Sequence, residues 1–164
     1  MIWRDFEAAA PELAQLGRTR LEEPGVAFLA ALRLDGSPRI DPVQAHITGG
    51  HLLFGVMRSH KRGGLRRDPR CAIHSAVRDP DGAEGEFKAH GRAVLVADAR
   101  LRNAPEGGWW LAFPADAADV YSLDLESAVF MHWDWDAGEV TVDRWSAAGG
   151  VSQSRRGYPW AGGA

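Results

Sequence analysis

The sequence predicts a mainly β protein with peripheral helices, its roughly six short strands joined mostly by hairpins into an antiparallel barrel. Three observations lead there. Apolar runs of strand length recur along most of the chain. They are separated by turns with a chemical cause, at Asp35-Gly36, Thr48-Gly49-Gly50, Asp79-Pro80-Asp81-Gly82 and Asp136-Ala137-Gly138. Only one strand–helix–strand unit of adequate length is visible, which disfavours a parallel doubly wound sheet.

Taken in order, residues 5–22 read as a helix, because Phe6, Ala9, Ala10, Leu13, Leu16 and Leu21 fall on one stripe. Pro24-Gly25 ends it. Residues 26–34 form an apolar strand, Asp35-Gly36 a hairpin turn, and residues 37–47 a returning strand. Pro38 and Pro42 confine that second strand to a sheet edge or to a place where ladder bonds lapse, since proline gives the ladder no N–H. Residues 51–57, 71–77 and 86–97 follow as strands, with Gly91 marking a bulge or a close backbone approach. Residues 98–124 are irregular, with a dense apolar cluster at Trp109–Phe113 and a helical turn expected over 116–121. Residues 127–133 and 140–145 make a last hairpin, and the tail beyond Ala147 shows no period. Its tip, Tyr158-Pro159-Trp160, is aromatic enough to dock on a neighbour. The organisation is therefore one domain over residues 5–150 and a tail over 151–164.

Composition bounds the function. The chain has 164 residues, about one domain's worth, and is 45% hydrophobic and 25% charged. A net charge of −3 argues against a dedicated nucleic-acid binder. A single cysteine, Cys71, excludes an intramolecular disulfide and fits a reducing cytoplasm; its strand setting makes it an inert core residue. The first residues carry charges and no apolar core, so they are not a signal peptide, and no run approaches the ~18 apolar residues of a membrane span. A cytoplasmic protein is expected.

The most informative stretch is His51–Arg70, HLLFGVMRSHKRGGLRRDPR: a strand running into a Ser59-capped basic helix stopped by Asp68-Pro69. A helix start flanked by Arg58, His60 and Lys61 has the ingredients of a phosphate site. A solvated basic helix is the equal alternative. Arg39 also has two readings, a bidentate hold on a phosphate or an ion pair with Asp41, Glu84 or Glu86. The six histidines show no HxH or HExxH spacing, so no zinc site is expected. No GxSxG, P-loop or GxGxxG is present. The seven tryptophans exceed what a small core needs, and could stack on a flat ring or bury an interface.

Three segments in succession, GVAFLAALRLDGSPRIDPV, GGHLLFGVMRSHKRGGLRRDPRCAIHSAV and GEFKAHGRAVLV, resemble the pyridoxamine 5′-phosphate oxidase-like superfamily of FMN-binding split β-barrels. The likeness is good over residues 5–97 and loose over 125–150. It implies a six-stranded split barrel that binds FMN at a homodimer interface. Arg39 and Lys61 would hold the flavin phosphate, with Ser59 helping and His60 standing where the oxidase has arginine. Arg39, Ile40, Asp41 and Pro42 would run along the ring by backbone contact, and Phe54 and Gly55 match strand positions that touch it. Glu86 falls where a glutamine meets the ring; its carboxylate would oppose reduction unless paired with Lys88 or Arg92. Arg66, one helical turn beyond Lys61, is expected to be solvated.

The final hairpin lacks the RxHxR-type segment that grips pyridoxal phosphate, which argues against vitamin B6 chemistry. The resemblance thus implies a flavin-dependent oxidoreductase with a small-molecule substrate and reduced nicotinamide as a candidate electron donor. Within the same superfamily the alternatives are a deazaflavin-dependent reductase and a non-enzymatic flavin or haem carrier or sensor.

Overall fold

A computed structural model describes residues 1–57 and 62–158. The leading helix is two helices, α1 (Trp3–Ala9) and α2 (Pro11–Glu22), not one. Ala10, with φ −147° and ψ 66°, breaks the run because the residue before a proline is pushed out of helical geometry, and Pro11 opens α2. Of the predicted stripe, Phe6, Ala10, Leu13 and Leu21 are buried, joined by Trp3, Ala14 and Gly17, whereas Ala9 and Leu16 are exposed. A Cβ on Gly17 would lie 2.6 Å from the Phe87 ring, so glycine lets α2 settle directly on the sheet.

The strands are β1 (Ala27–Leu32), β2 (Pro38–Val43), β3 (Ala45–Thr48), β4 (His51–Met57), β5 (Arg70–Ser75), β6 (Glu86–Leu95), β7 (Ala118–Asp134), β8 (Glu139–Ser146) and β9 (Gly150–Gly157). They form one nine-stranded sheet in the order β2-β1-β5-β6-β7-β4-β3, with β8 on β7 and β9 on β8. Every pairing is antiparallel. The sheet forks at β7. Residues 118–122 of that strand pair with β4 and residues 127–134 with β8, while β6 runs along the opposite edge from Leu95↔Tyr121 to Glu86↔Met131. The fold is the expected mainly β split barrel with peripheral helices, α3 (Arg62–Arg67) and α4 (Ala99–Arg102) among them, but with nine strands among the described residues where six were expected.

Four local expectations hold. Gly36, at φ +82°, turns the β1–β2 hairpin, and Asp35 accepts Ser37 N–H at 2.9 Å across it. Proline-bearing β2 pairs only with β1 and ends the sheet. The β6–β7 register slips between His90 and Gly91, where an added Cβ would fall 2.0 Å from the Asp124 carbonyl oxygen. Cys71 is buried, and burial pushes its thiol up to about 12.

Three expectations need correction. The strand expected over 37–47 divides at Gln44, because β3 leaves β1 to pair with β4. Residues 118–121 are not a helical turn but the start of β7, all four buried between β6 and β4. The tail holds β9, an edge strand exposed on both faces; with no face to bury, it needs no apolar alternation and leaves no period. Tyr158 docks on its own chain, with its ring 4.7 Å from Trp133.

The main core fills the barrel between the sheet and the α1–α2 pair. A second cluster, Leu53, Trp110, Ala118 and Val120, lies on the other side of β4 under the 3₁₀ turn Trp109–Ala112. Strand β4 therefore buries both faces, which is why its apolar run does not alternate.

A buried ion pair fixes α2 to the β5–β6 loop. Arg20, 5% exposed, gives Glu84 a 2.9 Å bond and the Ala76 carbonyl a 2.8 Å bond. Glu84 also accepts the backbone N–H groups of Arg78 and Asp79. The Arg78 N–H chiefly holds the carboxyl well below the usual range, at about 2. A lowered folded-state pKa means that the stabilisation is complete above the ordinary carboxylate range and is lost as pH falls towards about 2. Chemical unfolding across this acid range is expected to show that loss, and Glu84→Gln to flatten it.

Candidate functional site

Because β2 ends the sheet and β4 lies across from it without a ladder between them, the barrel is open along that line. The opening is a cleft of about 690 Å³, walled by Val26, Leu29, Asp41, Pro42, Val43 and Gln44 on one side and by Gly55, Val56, Met57 and Trp109 on the other. Strand period 2 decides which side chains of β2 enter it. Arg39, Asp41 and Val43 stand opposite Ala31, Leu29 and Ala27 of β1 and share their inward face. Ile40 points outward and is 70% exposed.

One end of the cleft is charged. Arg39 and Asp41 form an ion pair through Nε and Oδ2, with both side chains mostly covered. They line a small extension of the cleft with Val56, Gly64 and Leu65, directly under α3. A Cβ on Gly64 would come 3.0 Å from the Leu32 carbonyl oxygen, so glycine lets α3 cross β1 closely. Ser59, His60 and Lys61 lie outside the described residues.

Arg66 is not the solvated side chain expected from its place on a basic helix. Its Nη2 and Nε lie 3.2 and 3.3 Å from Asp119 Oδ2. Asp119 is 4% exposed and stands opposite Val56 in the β4–β7 register, with the Tyr121 hydroxyl 3.5 Å away. The pair ties α3 to the barrel wall. Only the burial of Asp119 creates it, and that burial depends on residues 118–121 being strand.

The other end is apolar. Gly55 reaches the cleft wall, whereas the Phe54 ring does not: it is fully buried, stacked on Tyr121 at 5.7 Å. Pro42 lines the cleft beside Asp41. Trp109, whose part was open in the sequence, stands against Gly55 and completes this end.

Glu86 is elsewhere. It sits on β6, 2.6 Å from Lys88 Nζ and 3.3 Å from His74 Nε2, so the carboxylate carries the pairing to Lys88. This cluster borders a second, shallow apolar groove of about 530 Å³ on the outer face, lined by Phe28, Ala30, Ile40, Ala72, His74 and Val77 among others. The structure thus brings Asp41, Pro42 and Gly55 to the cleft, sets Arg39 beside Asp41 in its small extension, and leaves Ile40, Phe54 and Glu86 out of it. Among the described residues, no group of three or more His, Cys, Asp or Glu is placed to hold a metal ion, and no helix is long and apolar enough to cross a membrane.

The arrangement of strands matches known structures closely. PhzG from Burkholderia lata, solved with tetrahydrophenazine-1-carboxylic acid, is 12% identical, with a TM-score of 0.64 over 95% of this chain and 93% of that one. A pyridoxamine 5′-phosphate oxidase-related, FMN binding protein from Nostoc punctiforme is 13% identical, with a TM-score of 0.61 over 91% and 96%. The fold is the pyridoxamine 5′-phosphate oxidase-like split β-barrel. A heme binding protein from Mycobacterium smegmatis shares it at 16% identity, with a TM-score of 0.61 over 89% and 88%. No protein-family model matches the chain, and no curated protein matches it in sequence. Proteins whose ligands differ thus share this arrangement of strands.

The Arg66–Asp119 contact can be measured directly. Arg66→Ala is expected to destabilise the protein by about 1 kcal/mol, because a nearly buried carboxylate loses a cation that is itself half exposed. In urea unfolding, a double-mutant cycle with Asp119→Asn should return a coupling energy of that size.

Proposed function

We propose that the chain is a flavoprotein that binds FMN in the β2–β4 cleft and acts as an oxidoreductase. The make-up of the cleft carries this reading: an Arg39–Asp41 ion pair at one end, under α3, and an apolar aromatic wall at the other. FMN is divided likewise, with a phosphate at one end and a flat ring at the other. Arg39 would hold the phosphate, oriented by its pair with Asp41; Lys61, Ser59 and His60 are assigned the same task from the resemblance. The free edge of β2 would offer backbone groups along the ring, except at the nitrogens of Pro38 and Pro42.

Bound FMN supplies a ring that accepts and donates hydride, while the chain supplies binding, orientation and field. Among the described residues no histidine or cysteine lines the cleft, which favours a ring held by stacking and backbone over one held by an axial ligand. A deazaflavin coenzyme, with a ring and a phosphate of its own, is the alternative cofactor. The reaction we assign is hydride transfer between reduced nicotinamide and a small-molecule acceptor.

The purified or reconstituted protein should show flavin absorbance. Arg39→Ala should weaken FMN binding by roughly one to two powers of ten, since a charge-assisted bond contributes about 1.5–3 kcal/mol. Riboflavin, which lacks the phosphate, should be indifferent to the change. Equal losses for both would place the phosphate elsewhere.

We further propose that the functional unit is a homodimer, with the outer groove around Phe28 and Ile40 covered by a second copy. Phe28 is 41% exposed and Ile40 70%, an apolar surface of the kind that interfaces cover. Light scattering should return a dimer for the parent and a monomer for Phe28→Glu.

A further inference from the structure

We propose that Trp109 is the ring-recognition residue of the cleft, its indole forming the stacking wall for the flat part of the flavin. The inference rests on the flavin reading above and names the residue that sets specificity for the ring. Trp109 is the only aromatic side chain among the described residues lining the cleft. It also stands away from the charge. Along β2 the ion pair occupies Arg39 and Asp41, whereas the wall with Trp109 reaches Pro42, Val43 and Gln44. At strand rise that separates the Arg39 backbone from the far wall by roughly 10–17 Å, room for a ribityl-length chain between a phosphate and a ring.

The indole is held in place before any ligand arrives. A Cβ on Gly55 would fall 2.7 Å from Trp110 and 2.9 Å from Trp109, so the missing side chain of glycine lets both indoles pack on the β4 main chain. Trp110 is the anchor: it is fully buried and donates Nε1–H to the Arg102 carbonyl at 3.0 Å. Trp109 meets Trp110 edge-on at 6.3 Å and Phe113 edge-on at 5.6 Å. A wall braced on two sides loses little freedom when a ring stacks on it, which favours binding. The competing explanation is that Trp109 only covers Gly55.

The test titrates FMN and riboflavin against the parent and against Trp109→Phe, Trp109→Leu, Phe113→Leu and Arg39→Ala, reading affinity and the emission of bound flavin. An indole in van der Waals contact donates an electron to excited flavin and quenches it; a phenyl ring does not. Trp109→Leu should weaken FMN and riboflavin alike, by about tenfold, as loss of one aromatic stacking partner does. Trp109→Phe should keep affinity within about threefold, because a ring remains to stack, yet give brighter bound flavin. Arg39→Ala should affect FMN alone. Phe113→Leu, which removes one brace but does not itself line the cleft, should weaken both flavins by no more than about threefold, well short of the loss in Trp109→Leu.

Unchanged emission in Trp109→Phe overturns the proposal while leaving the flavin reading in place, as does parent affinity in Trp109→Leu or an equal loss in Phe113→Leu. If Trp109→Leu fails to fold, the emission of Trp109→Phe still decides. A parent that binds neither flavin overturns both the proposal and the reading beneath it.

Discussion

Strand β7 has to satisfy more partners than one straight strand can. Over 17 residues it pairs with β6 on one edge and, on the other, with β4 first and β8 afterwards. Two partners on a single edge cannot continue in one plane, so the sheet divides there. The slip at His90/Gly91 sits where β6 follows β7 past the fork, and the close approach to Asp124 tolerates no side chain. Dividing the sheet turns the β4–β3 arm back towards β2, and the line where those two strands face each other unpaired is the cleft. Its existence is thus a consequence of backbone pairing, before any side chain is considered.

Side chains then make the two ends of that line different. At one end, charged groups pair: Arg39 with Asp41 within β2, and Arg66 of α3 with Asp119 of β7. Partial burial strengthens such pairs relative to bulk water, and it also raises the cost of leaving either member alone. At the other end the elements are joined by indoles resting on a glycine. The two ends of the cleft therefore differ in polarity. The same division applies to the whole molecule, where Arg20 and Glu84 lock a loop on one side of the core and Trp110 locks another segment on the opposite side of β4.

Much of this was legible in the chain. The Asp35-Gly36 turn, the edge role of β2 and the slip at Gly91 each follow from what proline and glycine can do to a backbone, and each is found. The Pro11 break between α1 and α2 was readable by the same rule, but the apolar stripe runs through it unbroken. Strand β9 was not readable, since a strand with neither face buried has no pattern to show. Residues 118–121 misled for the opposite reason: they are buried on both faces, and so short a buried run has no period that tells helix from strand.

Taken alone, the sequence determined where most of the strands and turns fall and that β2 carries a proline-bearing edge, because these depend on φ/ψ preferences and on alternation over a few residues. Only the tertiary structure decided that β2 would face β4, that Trp109 would rest on Gly55, that Arg66 would find Asp119, and that Phe54 and Glu86 would lie outside the cleft. Alternation says which side chains share a face of a strand and nothing about which strand lies opposite. That choice belongs to the pairing of segments far apart in the chain, and here it was made at the fork in β7.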